Sequence, residues 1–153
     1  MDLSWLITAT WVGLSVQCMA MIIDELWFHR RRGLPRWEVW GHPVDGLVFM
    51  LPVSLAAYTQ PNPILIKLFV VLSIVSSLCV TKDEWIHTDL CSAGEQWLHS
   101  ILFLIHAPLL IAIGTLWAFN WGDQSGLIYL PPLIAGILTI QLFYWMHKTA
   151  SKH

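Results

Sequence analysis

Five long apolar stretches constrain the fold of this 153-residue chain more than any other feature. They cover approximately residues 3–23, 43–58, 64–82, 96–119 and 127–146, and a helix crosses a bilayer with about 20 such residues. Because lipid offers no partner for backbone polar groups, apolar stretches of this length fold as transmembrane helices. The sequence therefore predicts an all-α integral membrane protein, a single transmembrane domain (residues 1–153) built as a five-helix bundle.

The composition excludes two other classes of protein. Hydrophobic residues make up 56% of the chain and charged residues only 12%, whereas a soluble domain has roughly 25% charged residues. These charges are too few to coat a surface that faces water, which excludes a soluble enzyme and a disordered chain. The net charge of −2 gives no reason to expect nucleic acid as a partner.

The distribution of lysine and arginine predicts the orientation of the bundle. Basic residues lie at or just after the ends of the first, third and fifth stretches, with Lys82 as the last residue of the third, whereas the connections 2–3 and 4–5 contain none. By the positive-inside rule, the N-terminus lies outside and the C-terminus in the cytoplasm, as in a bacterial inner membrane or an equivalent one. Contact with anionic lipid headgroups is a second role for four of these residues, although topology alone accounts for them. They are Arg30, Arg31, Arg32 and Arg36.

Ten tryptophans are present, and most lie near the ends of the apolar stretches. Tryptophan is enriched where a membrane meets water. The sequence therefore predicts an aromatic belt that includes Trp27, Trp97, Trp117 and Trp145.

Acids and histidines recur at helical spacing at the predicted cytoplasmic end. Residues three, four or seven apart share one face of a helix, so each pair can present a carboxylate and an imidazole to a common centre. A histidine inside the fourth stretch is a functional candidate by default, with a hydrogen bond between helices as the alternative. The candidate metal ligands are Glu25, His29, His42, Asp45, Asp83, Glu84, His87, Glu95, His99 and His106.

Several of these residues also have a purely structural interpretation. Ser92-Ala-Gly-Glu95 fits a capping box at the start of the fourth helix. In the segment 42–45, Pro43 fits the first position of a helix and Asp45 its first turn. Asp24-Glu25 lies at the C-terminal end of a helix, where acids oppose the helix dipole and need a basic partner or a bound cation.

The number and type of these groups predict two metal ions. A catalytic zinc takes about three protein ligands, and two ions take roughly twice as many. Imidazole and carboxylate ligands without paired thiolates suit iron, zinc or manganese. Glu-x-x-His pairs on facing helices are known ligands of two-metal centres in helix bundles.

Glu84-Trp-Ile-His87 and Glu95-Gln-Trp-Leu-His99 give the chain a resemblance to membrane-embedded di-iron enzymes, such as desaturases, fatty-acid hydroxylases and alternative oxidases. The chain lacks the adjacent histidines of desaturases and is richer in histidine than alternative oxidases. The resemblance implies a centre with two iron ions that reacts with O2.

We therefore expect an enzyme, a di-iron oxidoreductase or oxygenase that acts on a lipid-like or quinone-like substrate at the cytoplasmic side. A redox partner there and a homo-oligomer are compatible with this reading. A zinc-dependent hydrolase of a lipid amide or ester is an alternative, with Glu84 or Glu95 as general base. Haem held by His29 and His99 is a third interpretation, and a non-enzymatic ion-permeation or assembly protein is a fourth.

Overall fold

All the regular secondary structure in the part of the chain that the structure describes is helical. A computed structural model describes residues 2–87, 91–121 and 126–150, with the side chains of 36, 82–87 and 149–150 left out. Five of its helices are long and apolar enough to cross a membrane. The predicted all-α architecture with five candidate spans is thereby confirmed.

Helix α1 (Ser4–Ile23) continues without a break through a π-helical segment (Asp24–His29) into a last turn (Arg30–Arg32). A short 3-10 turn (Leu127–Tyr129) precedes the final helix. The other helices are α2 (Arg36–Tyr58), α3 (Pro63–His87), α4 (Ala93–Ala118) and α5 (Leu130–Ala150).

Helix α2 begins at Arg36, well before the predicted second stretch at residue 43. Gly33, with φ 79°, ends the preceding turn, and Pro35 is the extended N-cap of α2. The interpretation of Pro43 as a first helical residue was wrong, because Pro43 is buried inside α2. A proline inside a helix removes a hydrogen bond and costs about 3 kcal/mol, so the packing of α2 must offset that cost.

The helices pack as neighbours around one apolar core. Helix α2 contacts α3 and α5, while α4 contacts α1 and α3. The half of the bundle that holds this core is called the apolar end below. Its buried side chains are Phe49, Val53, Ala56, Phe69, Leu110, Ile113, Trp117, Leu127 and Leu130.

The outward faces of the helices are apolar as well. Large aliphatic side chains are exposed on three different helices, for example Ile64, Leu104 and Ile140. A soluble monomer rarely exposes apolar surface on this scale. Such a surface is suited to contact with lipid.

The tryptophans divide into two groups. Trp27 and Trp97 are exposed, as an aromatic belt requires, but Trp117 and Trp145 are only 3% and 2% exposed. The prediction of a belt position was wrong for these two. The reason is that each turns inward and donates its indole N–H to a protein oxygen, Trp117 to the backbone of Thr59 and Trp145 to Glu25.

Candidate metal centre

Four side chains from two helices converge at the other end of the bundle, which is called the polar end below. Asp24 and His29 come from the π segment, and Glu95 and His99 come from the first turns of α4. One potential ligand atom from each lies within 4.8 Å of all the others. All four residues are between 1% and 6% exposed. This set is called the four-residue centre.

The spacing within the four-residue centre suits a single metal ion. Oδ2 of Asp24 lies 3.2 Å from Nε2 of His29 and 3.3 Å from Nε2 of His99. Oε1 of Glu95 lies 3.8 Å from Nε2 of His29. Around a tetrahedral ion with bonds near 2.0–2.1 Å, ligand atoms are separated by about 3.3 Å. Small side-chain movements would therefore place all four atoms on one ion.

The π segment explains why the sequence analysis chose Glu25 as a ligand and left Asp24 out of the ligand set, although it named both acids as needing a basic partner or a bound cation. In an α-helix, residues five apart point about 140° away from each other. A π-helix instead pairs residue i with i+5, which brings Asp24 and His29 onto one side. The four-residue spacing used for prediction favours Glu25 in its place. Single π turns are rare and frequently occur at functional sites. No residue pattern in the sequence predicts this one.

Helix α4 positions its two members of the centre by ordinary helical rules. Ser92 caps the helix, because its hydroxyl accepts a hydrogen bond from the backbone N–H of Glu95 at 3.4 Å. The predicted N-cap is thus confirmed. Glu95 and His99 are one turn apart and share a face. The carboxylate of Glu95 nevertheless points into the bundle, so the residue serves both the helix start and the centre.

A buried ion-pair network borders the centre. The guanidinium of Arg32 lies 3.0 Å from a carboxylate oxygen of Glu38 and 3.2 Å from Oε1 of Glu95. Glu38 is only 1% exposed. The sequence analysis missed Glu38 because it placed the start of α2 at residue 43, which left Glu38 in a loop. Arg32, which was assigned to lipid headgroups, thus has carboxylate partners inside the protein.

Two further arginines with a predicted lipid role stack on aromatic rings. Arg31 lies over the ring of Trp27 at 3.4 Å, and Arg30 lies over Tyr144 at 4.8 Å. The side chain of Arg36 is outside the described residues. Contact of these arginines with lipid headgroups stays a prediction.

Glu25 lies beside the centre and contacts α5. One carboxylate oxygen accepts a hydrogen bond from Nε2 of Gln141 at 2.9 Å, and the other accepts one from the indole of Trp145. The first oxygen is also 3.5 Å from Nδ1 of His29. The sequence analysis missed Gln141 and Trp145, since α5 contributes no acid at this end and its tryptophan resembles a belt residue.

The remaining predicted ligands are in different surroundings. The ring of His42 lies 4.8 Å from the ring of His29, while Asp45 is half-buried and outside the four-residue centre. Nε2 of His106 lies 2.9 Å from Oγ of Ser76, so the alternative hydrogen bond between helices is present. The side chains of three predicted ligands lie outside the described residues, namely Asp83, Glu84 and His87.

Cys91 lies next to Glu95 and stays a neutral thiol. Burial and the negative charge of Glu95 raise the pKa of the Cys91 thiol to about 12. The thiolate is the form that binds metals. Among the described residues, the ligand atoms that converge at this end belong to imidazoles and carboxylates, and Cys91 is not one of the group.

Comparisons with protein-family models, with curated proteins and with solved structures find no match for the chain. The resemblance to di-iron enzymes stays a prediction, and the geometry of the polar end has to carry any functional proposal.

Proposed function

We propose that the protein is a membrane-embedded oxidoreductase or oxygenase that binds iron at the four-residue centre and acts on a lipid-like or quinone-like substrate. One observation carries this proposal. Two imidazoles and two carboxylates converge within 4.8 Å in a buried position, although they come from separate helices.

The balance of charge at the polar end supports a bound cation. Four carboxylates lie at this end, those of Asp24, Glu25, Glu38 and Glu95, and the guanidinium of Arg32 pairs with two of them, Glu38 and Glu95. If the imidazoles are neutral, the state in which they bind a metal, these four carboxylates and Arg32 together carry a charge of −3. Buried charge without compensation is strongly unfavourable. One divalent ion removes two of the three negative charges.

The ligand types support iron over softer metals. Imidazole and carboxylate without thiolate suit iron, zinc and manganese, and two histidines with a carboxylate form the usual ligand triad of non-haem iron oxygenases. The four-residue centre contains that triad and one extra carboxylate. A coordination number above four would leave positions for O2 and a substrate.

We further propose a second ion, as the sequence analysis predicts, on the side of α2. Glu38 and His42 are one helical turn apart, and the ring of His42 packs against that of His29. His42 also interacts electrostatically with Asp24. Oδ1 of Asp24 is buried and makes no hydrogen bond among the described residues. Asp24, His42 and Glu38 are the residues that would hold a second ion.

The chain has definite tasks in the proposed chemistry. Bound iron would supply the activation of O2. The buried ligands hold the ion and exclude water. In an oxygenation, one atom of O2 enters the substrate and the other leaves as water, with two electrons and two protons from a redox partner.

We place this end in the cytoplasm, because Arg30–Arg32 flank it.

The surroundings of the π segment support an apolar substrate. A shallow apolar surface, more open than enclosed, lies on the outer side of the end of α1 and of the π segment. It is lined by Ile22, Ile23, Leu26, Trp27 and Phe28. A substrate dissolved in the bilayer would meet this surface without crossing water.

The redox assignment is tested by comparing the purified protein loaded with iron and with zinc. We expect the iron form, given a reductant and a quinol or lipid, to consume O2, and the His99→Ala variant to lose this activity. His147→Ala is the matched control, since His147 is exposed in the last turn of α5. Hydrolysis of a lipid ester or amide by the zinc form, with no O2 uptake by the iron form, would refute the proposal.

A further inference from the structure

We infer that Glu25 is a positioning residue, which orients His29 so that Nε2 faces the metal and which is itself held in place by α5. This inference rests on the proposed function, because it assigns a role toward the metal bound at the four-residue centre.

The two nitrogens of the His29 ring face different groups. Nε2 lies 3.2 Å from Oδ2 of Asp24, inside the centre, while Nδ1 lies 3.5 Å from Oε2 of Glu25. A neutral imidazole has one N–H, and a carboxylate only accepts hydrogen bonds. Although Nε2 also faces a carboxylate, it makes no hydrogen bond among the described residues, whereas Nδ1 pairs with Oε2 of Glu25. The proton therefore belongs on Nδ1, where Glu25 accepts it, and the lone pair on Nε2 would be directed to the ion. Metal-binding histidines commonly use a carboxylate in this way.

The carboxylate of Glu25 is fixed from its other side by α5. Gln141 donates to Oε2 at 2.9 Å, and the indole of Trp145 donates to Oε1. The two donors are one turn apart, so they lie on one face of α5. With both oxygens engaged, Glu25 is not free to turn toward the four-residue centre. The contacts thus favour a supporting role for Glu25 over the ligand role that the sequence suggests.

One consequence concerns α5, which contributes no residue to the four-residue centre. Through Gln141, Trp145 and Glu25, the position of α5 influences the orientation of His29 in the π segment. A change at α5 should therefore alter metal affinity without removing a ligand.

The test is titration of the full-length purified protein with Co²⁺, followed by visible absorption. We expect Glu25→Gln to weaken cobalt binding by about 10- to 100-fold, as loss of an outer partner of a ligand does. Trp145→Phe should weaken it on the order of threefold, because it removes one donor from Glu25 and keeps the ring. The matched control is Trp117→Phe, which removes an indole hydrogen bond at the apolar end and should leave affinity unchanged.

The cobalt spectrum separates positioning from ligation. At saturating cobalt, the bands of Glu25→Gln should keep the wild-type position and intensity, because all four ligands remain. Bands altered at saturation would make Glu25 a ligand and overturn the inference. A lower melting temperature of the metal-free variant with unchanged cobalt affinity would show a merely structural role for Glu25. That outcome would also overturn the inference.

The outcome for the wild type separates this inference from the proposed function. If the wild type binds cobalt and Glu25→Gln binds it equally well, only the inference fails. If the wild type binds none, the metal centre fails and the inference fails with it.

Discussion

The two ends of the bundle are stabilised in different ways. The apolar end consists of closely packed aliphatic and aromatic side chains, such as Val53 and Ile113, which are completely buried. The polar end gathers buried carboxylates and imidazoles around a single guanidinium, that of Arg32. The first arrangement is complete on its own. The second could hold a metal ion, and in the proposed function a bound cation would balance its excess negative charge.

Two tryptophans show the same contrast on a smaller scale. Trp117 and Trp145 are both buried and both donate an indole N–H across the bundle. The acceptor at the apolar end is a backbone carbonyl, that of Thr59, whereas the acceptor at the polar end is the carboxylate of Glu25. A tryptophan thus joins two helices through a backbone carbonyl at the apolar end and holds a carboxylate in place at the polar end.

The largest effect is expected from removing the guanidinium at the polar end. Arg32→Leu leaves Glu38 and Glu95 without their shared cation, and loss of one partner of a buried ion pair costs about 3–5 kcal/mol. The metal-free variant should melt well below the wild type. Added divalent metal should raise the melting temperature of the variant by more than it raises that of the wild type. Arg32→Lys is the control that keeps the charge. Equal melting of Arg32→Leu and wild type would contradict the charge balance described above.

A substitution at the apolar end should have a comparable effect on stability and none on metal. Ile113 is fully buried, and Ile113→Ala should lower the free energy of unfolding by about 2–5 kcal/mol through the cavity it leaves. Metal content per folded chain should stay at the wild-type value, as measured by elemental analysis after gel filtration. A parallel loss of metal would show that the two ends are not independent.

The reactivity of Cys91 reports on the charge of Glu95. Burial and Glu95 raise the pKa of this thiol to about 12, so very little thiolate is present at pH 8. In Glu95→Gln the charge is gone and burial remains, so the pKa falls and metal-free protein should be alkylated up to about tenfold faster. Cys18→Ala and Cys79→Ala in both proteins confine the assay to Cys91. An unchanged rate would show that Glu95 does not act on this thiol.

The smallest effect is expected for the contact that lies between the two ends. Ser76→Ala removes the hydrogen bond to His106 and should cost about 1 kcal/mol, as such bonds between membrane helices do. Unfolding in detergent measures this cost. Metal content should not change, because neither residue belongs to the four-residue centre. A loss of metal in Ser76→Ala would place His106 in the site after all.

Much of the fold is predictable from the sequence because lipid imposes a simple rule on helix length and composition. The apolar stretches indicate the five helices, and the spacing of Glu95 and His99 places them on one face of α4. The missed residues have local causes. Asp24 faces the four-residue centre because of a π turn, and Glu38 lies in a helix because α2 begins at Arg36.

The role of α5 was not predictable for a different reason. Gln141 and Trp145 are neutral, and their importance arises from a contact with Glu25 that is distant in sequence. Helical periodicity describes neighbours within one helix. It contains no information on which helix packs against which, so contacts of this kind emerge only from the folded chain.

The most direct test is the metal content of the purified wild-type protein and of Asp24→Ala, measured by elemental analysis. Asp24 is decisive because α-helical spacing excludes it from the site, whereas the structure places its carboxylate between two imidazoles. The account predicts at least one metal ion per wild-type chain and a large loss in Asp24→Ala, with His147→Ala retaining the wild-type content. A wild type with far less than one ion per chain, or an Asp24→Ala variant that retains its metal, would contradict it.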